Sequence, residues 1–403
     1  MEKRTGLFSN GIIWFGVAIS VSEIEAGIEI GAASAPGSLW LPLILGHVLG
    51  GILLFFVGLI GARVRLNAME TTSSTFGKYG SRFFAALNVF QLLAWVAVLN
   101  AQGASALSGL NLPISFPLTC VILAVLIAAW VYVGLKRSAN VATVVMAALA
   151  VLLAVLSVKL FGIAPASGAK AAAVLGFWNV FEISIAMPIS WLPVISDYTK
   201  DAEKPVRATA VSAVAYSLAS LWMYFIGIEI AGIGADNNIA QAILLAGLGI
   251  PGIVIVVLST VTTNFLAANS AGESAKAIYG KLNPKAAGVV VSVLSAVLAI
   301  SGIMDHYISF LYLIASVFAP MAAVLLVSFF FAKGRSESLG AWLWNFFAWL
   351  AGFAVYQVAE RLDSVFLGPT LIAVIVSAAL AYARVLKFLF LNGHATEKDS
   401  AHQ

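Results

Sequence analysis

Apolar residues along this chain come in long blocks separated by short polar connectors, not in the strict alternation of strands or the narrow stripes of soluble helices. A helix crossing about 30 Å of hydrocarbon needs about 20 predominantly apolar residues. Twelve runs meet that description: 8–34, 38–61, 83–107, 117–135, 139–162, 176–198, 207–232, 250–272, 286–303, 306–332, 339–358 and 365–390. Each is predicted to be a transmembrane helix. The short alternating segments of an outer-membrane barrel are missing, and no stretch is long and polar enough to form a separate soluble domain. The first run lacks a small-residue cleavage site and continues into acidic sequence, so it reads as a span and not as a cleaved leader. The pattern predicts one all-α polytopic membrane domain over residues 1–403.

Composition narrows this further. Of the 403 residues 61% are hydrophobic and 10% charged, with a mean hydropathy of +1.00; soluble domains carry about 25% charged residues. The same numbers exclude a disordered chain. A single cysteine, Cys120, excludes a disulfide scaffold. The formal net charge of +4 has a simple origin once the charges are placed: of the 22 Lys and Arg, only Lys159, Lys170 and Arg361 fall in one set of loops. The basic side of a membrane protein faces the cytoplasm, which predicts cytoplasmic N- and C-termini. It gives no reason to expect nucleic-acid binding.

Three runs depart from uniform aliphatic sequence. The first carries Gly16, Ser20, Ser22, Glu23, Glu25, Gly27 and Glu29 at membrane depth. A carboxylate at the bilayer centre costs about 2.5–3.5 kcal/mol, so three of them demand a protein-lined polar environment, or, for Glu29 and Glu25, a place at the outer water interface. In the sixth run Pro188 and Pro193 bracket Ile189-Ser-Trp-Leu192. Proline removes a backbone donor and clashes with the preceding turn, so this span should unwind or kink mid-membrane. In the eighth run Ser259, Thr262 and Thr263 stand at i, i+3 and i+4, on one helical face. Their hard neutral oxygens suit a monovalent cation such as Na⁺; the alternative is hydroxyls bonded back to their own helix. Interruptions at corresponding places in two halves of a membrane protein point to a transporter binding site.

These residues resemble the nucleobase:cation symporter-1 family. The resemblance lies in Gly16…Gly27…Gly31, in Trp95, in the Ser196-Asp-Tyr198 exit from the sixth run and in Ser259-Thr-Val-Thr-Thr-Asn264. It is strongest on the bacterial cytosine-permease side, which implies a bacterial inner-membrane location. Within that side, Ser22-Glu-Ile-Glu-Ala-Gly27 and Ser190-Trp-Leu-Pro-Val-Ile-Ser-Asp-Tyr198 are similar to transporters of hydroxymethylpyrimidine, a thiamine precursor. The resemblance implies a leucine-transporter-type fold, with inverted five-helix repeats over 8–162 and 176–332, two added helices over 339–390, and broken helices 1 and 6. It implies a sodium site made by backbone carbonyls near Gly16 and Ile19, the Ser259 carbonyl, and the hydroxyls of Thr262 and Thr263. It also implies a flat ring bound against Trp95, with Ser20 nearby and Asn264 at its polar edge. One departure stands out: the position nine residues before Asp197, aromatic in the family and stacked on the other ring face, is Pro188, so either Trp191, nearly one turn later, takes over the stacking or that face is read differently.

A neutral heteroaromatic ring gains affinity from indole faces and must have its polar edge paired. Glu23 and Glu25, just beyond the break in the first span, are candidates to read an aminopyrimidine edge; either is alternatively a carrier of a coupling proton. Glu182 is a second candidate, Glu229 is expected to line the entrance, and His47 reads as a packed histidine. There is no phosphate-binding loop for ATP, no Cys/His metal cluster and no nucleophile–base pair. The expected function is therefore import of a small pyrimidine-type base by Na⁺ symport with alternating access, carried out by a monomer in the lipid bilayer without ATP or organic cofactor. The alternative is a proton-coupled carrier of cytosine or a related purine, hydantoin or allantoin-type ring. Asp197, Lys200, Asp201, Lys204 and Arg207 form a mixed-charge loop after the sixth span, read as topology and solubility, with a gate pair at Asp197 as the alternative.

Overall fold

A computed structural model describes residues 4–34, 37–110, 112–163, 175–233, 239–332, 338–362 and 365–400. The expectations for Lys3, Lys170, Lys333 and Arg335 lie outside them. The described residues are almost entirely helical. In chain order the helices are α1 (Leu7–Ala18), α2 (Val21–Ala33), α3 (Trp40–Val64), α4 (Ala68–Thr71), α5 (Ser73–Gly109), α6 (Phe116–Val133), α7 (Leu135–Phe161), α8 (Phe177–Ser190), α9 (Ile195–Thr199), α10 (Pro205–Gly232), α11 (Ile239–Leu245), α12 (Gly249–Ile278), α13 (Pro284–Ile300), α14 (Tyr307–Phe331), α15 (Leu339–Ala359) and α16 (Gly368–Ser400). Among the described residues nine helices are long and apolar enough to cross a membrane, and α1 with α2 makes a tenth span, bent by 52°. The sixth run appears as the short pair α8 and α9, and the ninth as the 17-residue α13.

The first break has a local cause. Ile19 (φ −78°, ψ 85°) and Ser20 (φ −136°, ψ 154°) leave the helical region. Ser20 then caps α2, its hydroxyl accepting from the Glu23 amide at 3.2 Å. The sequence Ser20-Val-Ser-Glu23 has the spacing of a capping box. Only half of the box forms, because the Glu23 side chain goes elsewhere. The second break falls where the prolines predict it: α8 ends at Ser190, and Trp191–Val194 form turns that contain Pro193.

Without a hydrophobic drive between helices in lipid, close approach depends on small residues. Gly27 of α2 and Gly227 of α10 face each other so tightly that a Cβ on Gly27 would strike the Tyr224 carbonyl, and one on Gly227 the Ile24 carbonyl. On α3, Gly46 meets Ser184 and Gly50 meets Pro188 of α8. α5 and α12 lie antiparallel, their register fixed by Gly103 against Thr260 and by Asn88 Nδ2 donating to Ser274 Oγ at 2.8 Å.

Candidate functional site

Breaking α1 at Ala18 frees carbonyls that an unbroken helix would have used, at the negative end of its dipole. Thr263 of α12 faces them. Its Oγ1 lies 3.4 Å from the Gly16 and Val17 carbonyl oxygens and 3.3 Å from that of Ile19. One hydroxyl hydrogen cannot serve three carbonyls, and all three distances are long for an O–H···O bond. Adjacent oxygens around a hard cation with ligand distances of about 2.4 Å stand about 3.4 Å apart, so this donor set fits such an ion.

Of the residues expected there, Gly16, Ile19 and Thr263 come together. Val17 joins them, an addition the sequence reading did not make. Thr262 instead donates to the Leu258 and Ser259 carbonyls of its own helix, at 2.8 and 3.2 Å, and the Ser259 hydroxyl donates to Val256 at 3.1 Å. Two of the three α12 hydroxyls therefore take the self-bonded alternative. Gly16 also has a packing role, since a Cβ there would strike Met146 of α7.

Next to Thr263 stands Asn264, fully buried, and neither amide atom finds a hydrogen-bond partner among the described residues. The α5–α12 register sets it opposite Leu99, one helical turn from Trp95. Trp95 is buried with its indole N–H unpartnered, and its ring meets Tyr307 and Phe310 edge-on at 6.2 and 5.6 Å. The Tyr307 hydroxyl and Ser22 of α2 share a 2.9 Å hydrogen bond. Two turns beyond Trp95, the Gln102 amide donates to Glu25, while Gln102 Oε1 is buried without a partner among the described residues. Unpaired buried amides are costly. Asn264, Trp95 and Gln102 thus mark a stretch of the α5–α12–α2 interface that offers paired donors and acceptors beside an aromatic surface. Gln102 was missed in the sequence, although its i+7 spacing from Trp95 put it on the same face.

Trp191, in the second break, lies edge-on to Trp14 with centroids 6.0 Å apart. Pro188, at the position that is aromatic in the resembling family, packs against Gly50 of α3. Ser20 is buried and occupied in capping α2.

Glu23 is a residue for which the sequence leaves two roles open, substrate reader or proton carrier. Its carboxylate turns to α10, where Oε1 accepts from the Tyr216 hydroxyl at 2.9 Å and Oε2 from Ser220 at 2.7 Å. Glu29 is exposed. Glu182 is held by Thr370 of α16, accepting from its amide at 3.0 Å and its hydroxyl at 2.7 Å. His47 is packed, with both ring nitrogens bonded. Asp197 caps α4, accepting from the Ala68 amide at 2.8 Å; the ion pair at this end joins Lys200 to Glu273 at 2.9 Å. No group of three or more His, Cys, Asp or Glu that could hold a metal occurs among the described residues.

Residues 1–345 match the family model described as permease for cytosine/purines, uracil, thiamine, allantoin. The cytosine permease of Escherichia coli K12 is 22% identical over 360 residues, covering 88% of this chain and 85% of the relative. Mhp1, a nucleobase-cation-symport-1 family transporter solved in a closed conformation with bromovinylhydantoin bound, superposes with a TM-score of 0.75. It is 19% identical, over 96% of this chain and 94% of that one. A Na⁺-coupled sialic acid symporter, solved in a substrate-bound outward-open state, gives a TM-score of 0.69 at 12% identity, over 95% of this chain and 90% of that one. The fold is that of these transporters.

Proposed function

Because the chain belongs to the family of permeases for cytosine/purines, uracil, thiamine and allantoin, we propose that it imports a small neutral pyrimidine-type base by symport with Na⁺, with hydroxymethylpyrimidine as the favoured ring. It is a multi-pass membrane transporter and not an enzyme. The observation that carries the proposal is the adjacency, on one stretch of α12, of Thr263 among the α1 carbonyls and of the unpaired, fully buried Asn264. One residue faces a place for a cation and its neighbour faces a place for a polar ring edge.

Each part follows from its chemistry. The carbonyls of Gly16, Val17 and Ile19 with the Thr263 hydroxyl hold the cation between the broken α1 and the straight α12. The Asn264 carboxamide offers one donor and one acceptor, the complement of a ring nitrogen beside an exocyclic amine or carbonyl. Trp95 supplies an aromatic face, and Trp191 is the second ring available from the other break. Glu25, already bonded to Gln102, is placed on the α5 side of α2 to accept from an exocyclic amine. Because the cation bridges two spans, its binding and that of the ring are linked through the same interface, and coupling of this kind typically amounts to 1–3 kcal/mol. The two five-helix repeats and cytoplasmic termini belong to the same proposal.

The test is a thermal-shift screen of the purified protein against hydroxymethylpyrimidine, cytosine, uracil, hydantoin and allantoin, each with and without Na⁺. A ligand present at about 100 times its Kd stabilises the native state by about 2.7 kcal/mol. The expected result is the largest shift with hydroxymethylpyrimidine, enlarged by Na⁺. A larger shift with cytosine, the ring in the name of the Escherichia coli relative, that is indifferent to Na⁺ and dependent on pH would replace the proposal with the alternative of a proton-coupled cytosine carrier.

A further inference from the structure

The polar groups around Glu23 form a continuous row through four helices. The Glu23 carboxylate of α2 meets Ser220 of α10 at 2.7 Å, Ser220 Oγ meets His47 Nε2 of α3 at 2.8 Å, and His47 Nδ1 meets Ser184 Oγ of α8 at 2.7 Å. Glu23, His47, Ser184 and Ser220 are all 2% exposed or less. None of them takes part in the cation or ring site described above.

Counting hydrogens along the row fixes its protonation. Ser184 Oγ lies 2.6 Å from the Leu43 carbonyl, which can only accept, so the single Ser184 hydrogen is spent there. The 2.7 Å contact from His47 Nδ1 to Ser184, and the 3.1 Å contact from the same nitrogen to the Leu43 carbonyl, then require a hydrogen on Nδ1. Beyond the imidazole, two short contacts remain, Nε2 to Ser220 and Ser220 to Glu23, and Ser220 brings one hydrogen for both. A second hydrogen must therefore lie in this segment. In one arrangement His47 is an imidazolium donating to Ser220, and Ser220 donates to a Glu23 carboxylate. In the other, Ser220 donates to neutral Nε2 and a protonated Glu23 donates to Ser220. They interconvert when the Nε2–H bond breaks and an Oγ–H bond forms, while the former Ser220 hydrogen moves to Glu23 Oε2. Both have net charge zero and hold one proton more than a carboxylate beside a neutral histidine; the second separates no charge, so burial favours it and the proton rests on Glu23.

We propose that Glu23, Ser220 and His47 form a proton-binding site, separate from the oxygen cluster at Thr263, that loads and releases one proton. The surroundings support a proton over any larger ion. The row is closed and fully occupied by its own hydrogen bonds. One carboxylate and one imidazole are too few for a metal shell. From α10, Tyr216 donates to the other Glu23 oxygen and Tyr224 lies edge-on to His47 with centroids 4.8 Å apart. From α14, Tyr307 bonds Ser22 instead, and Glu25 turns to Gln102 of α5. No lysine or arginine pairs with Glu23 among the described residues.

The place of the row in the fold gives the proton something to do. α2 and α10 are joined backbone to backbone at Gly27 and Gly227, while α3 and α8 are joined at Gly46 and Gly50. The row crosses the seam between these two pairs at the Ser220–His47 contact. With the proton present, the seam is bridged and electrically neutral. Without it, a buried carboxylate is left uncompensated, which favours a seam opened to water. This use in transport rests on the proposed function; the proton site itself does not.

The test is an infrared titration of the purified protein in lipid, reading the carbonyl band of protonated carboxyl groups. The wild type should show a band that disappears reversibly as pH is raised and that is missing from Glu23→Gln. Ser220→Ala removes a single oxygen from the row and should fold even where Glu23→Gln does not. A charge-assisted hydrogen bond is worth about 1.5–3 kcal/mol, so this variant should move the midpoint by about one pH unit or more. A band shared by the wild type and Glu23→Gln, a band that no pH removes, or a midpoint unmoved in Ser220→Ala would overturn the proposal. Cytosine and hydroxymethylpyrimidine thermal shifts on the same samples keep the two readings apart. A wild type that binds either ring but lacks the band overturns the proton site alone. A titrating Glu23 band in protein that binds neither ring supports the site and counts against the transport reading.

Discussion

At the scale of single residues, the two halves of the candidate site should separate cleanly. Thr263→Ala removes the one side-chain oxygen that faces the α1 carbonyls, leaving Asn264 and Trp95 in place. Na⁺ should strengthen ring binding in the wild type by about 5- to 150-fold, the usual range for linked sites, and that factor should fall toward one in Thr263→Ala. Trp95→Ala removes an indole face worth about 0.5–1.5 kcal/mol beyond its buried area. It should weaken binding at least about tenfold, equally with and without Na⁺. Calorimetry with hydroxymethylpyrimidine at two Na⁺ concentrations reads both effects, and a Thr263→Ala protein with an unchanged Na⁺ factor would remove the cation assignment. Glu23 shows where residue-level reading stops. Its exceptional character was plain, since a carboxylate in so apolar a run needs partners. Which face it occupies was not, because neighbouring positions differ by about 100° around a helix and the first span is broken just before it. The structure turns Glu25 to α5 and Glu23 to α10, two helices whose approach no single stretch of sequence displays.

At the scale of elements, the second break was legible for the reason that makes it, since paired prolines stop a helix; the first was expected from its polar residues and the family resemblance, and the structure supplies its cause, Ser20 capping α2. What holds the half-helices was less legible. The Gly27–Gly227 contact is visible only once α2 and α10 are side by side, because glycines in a membrane helix also occur where nothing approaches. Gly232, at the end of the same α10, has open space where a Cβ would stand. This gives a paired prediction. Gly27→Ala puts a methyl group against the Tyr224 backbone and should cost about 1–3 kcal/mol, the range for overpacking, seen as a lower Tm of the purified protein. Gly232→Ala should leave Tm unchanged or raise it slightly, since alanine is favoured over glycine in helices by up to about 1 kcal/mol. Equal effects at the two positions would mean that the backbone contact does not hold α2 in place.

At the scale of the whole molecule, the blocks of hydrophobic sequence carry nearly all of the architecture, because a bilayer permits little besides helices of sufficient length. Each of the twelve predicted runs overlaps a helix or a broken pair. The misfits lie at the ends, where α5 runs back to Ser73 through a kink at Gly77 and α12 runs on to Ile278. The proposed orientation of the bundle rests on a different quantity, the asymmetry of Lys and Arg between the two sets of loops, and it has its own test. Cys120 is the only cysteine and is buried, so a cysteine introduced at an exposed loop position reports on that position alone. Leu282 lies in the basic loop between α12 and α13, and Leu362 in the loop between α15 and α16 that carries Arg361; both are exposed, by 44% and 58%. In intact cells a membrane-impermeant maleimide should label Leu362→Cys and leave Leu282→Cys unlabelled until the cells are opened. The reverse pattern would invert the bundle. The Lys200–Glu273 pair, which ties the end of α9 to α12, would then lie on the external side, and import would have to begin by breaking it.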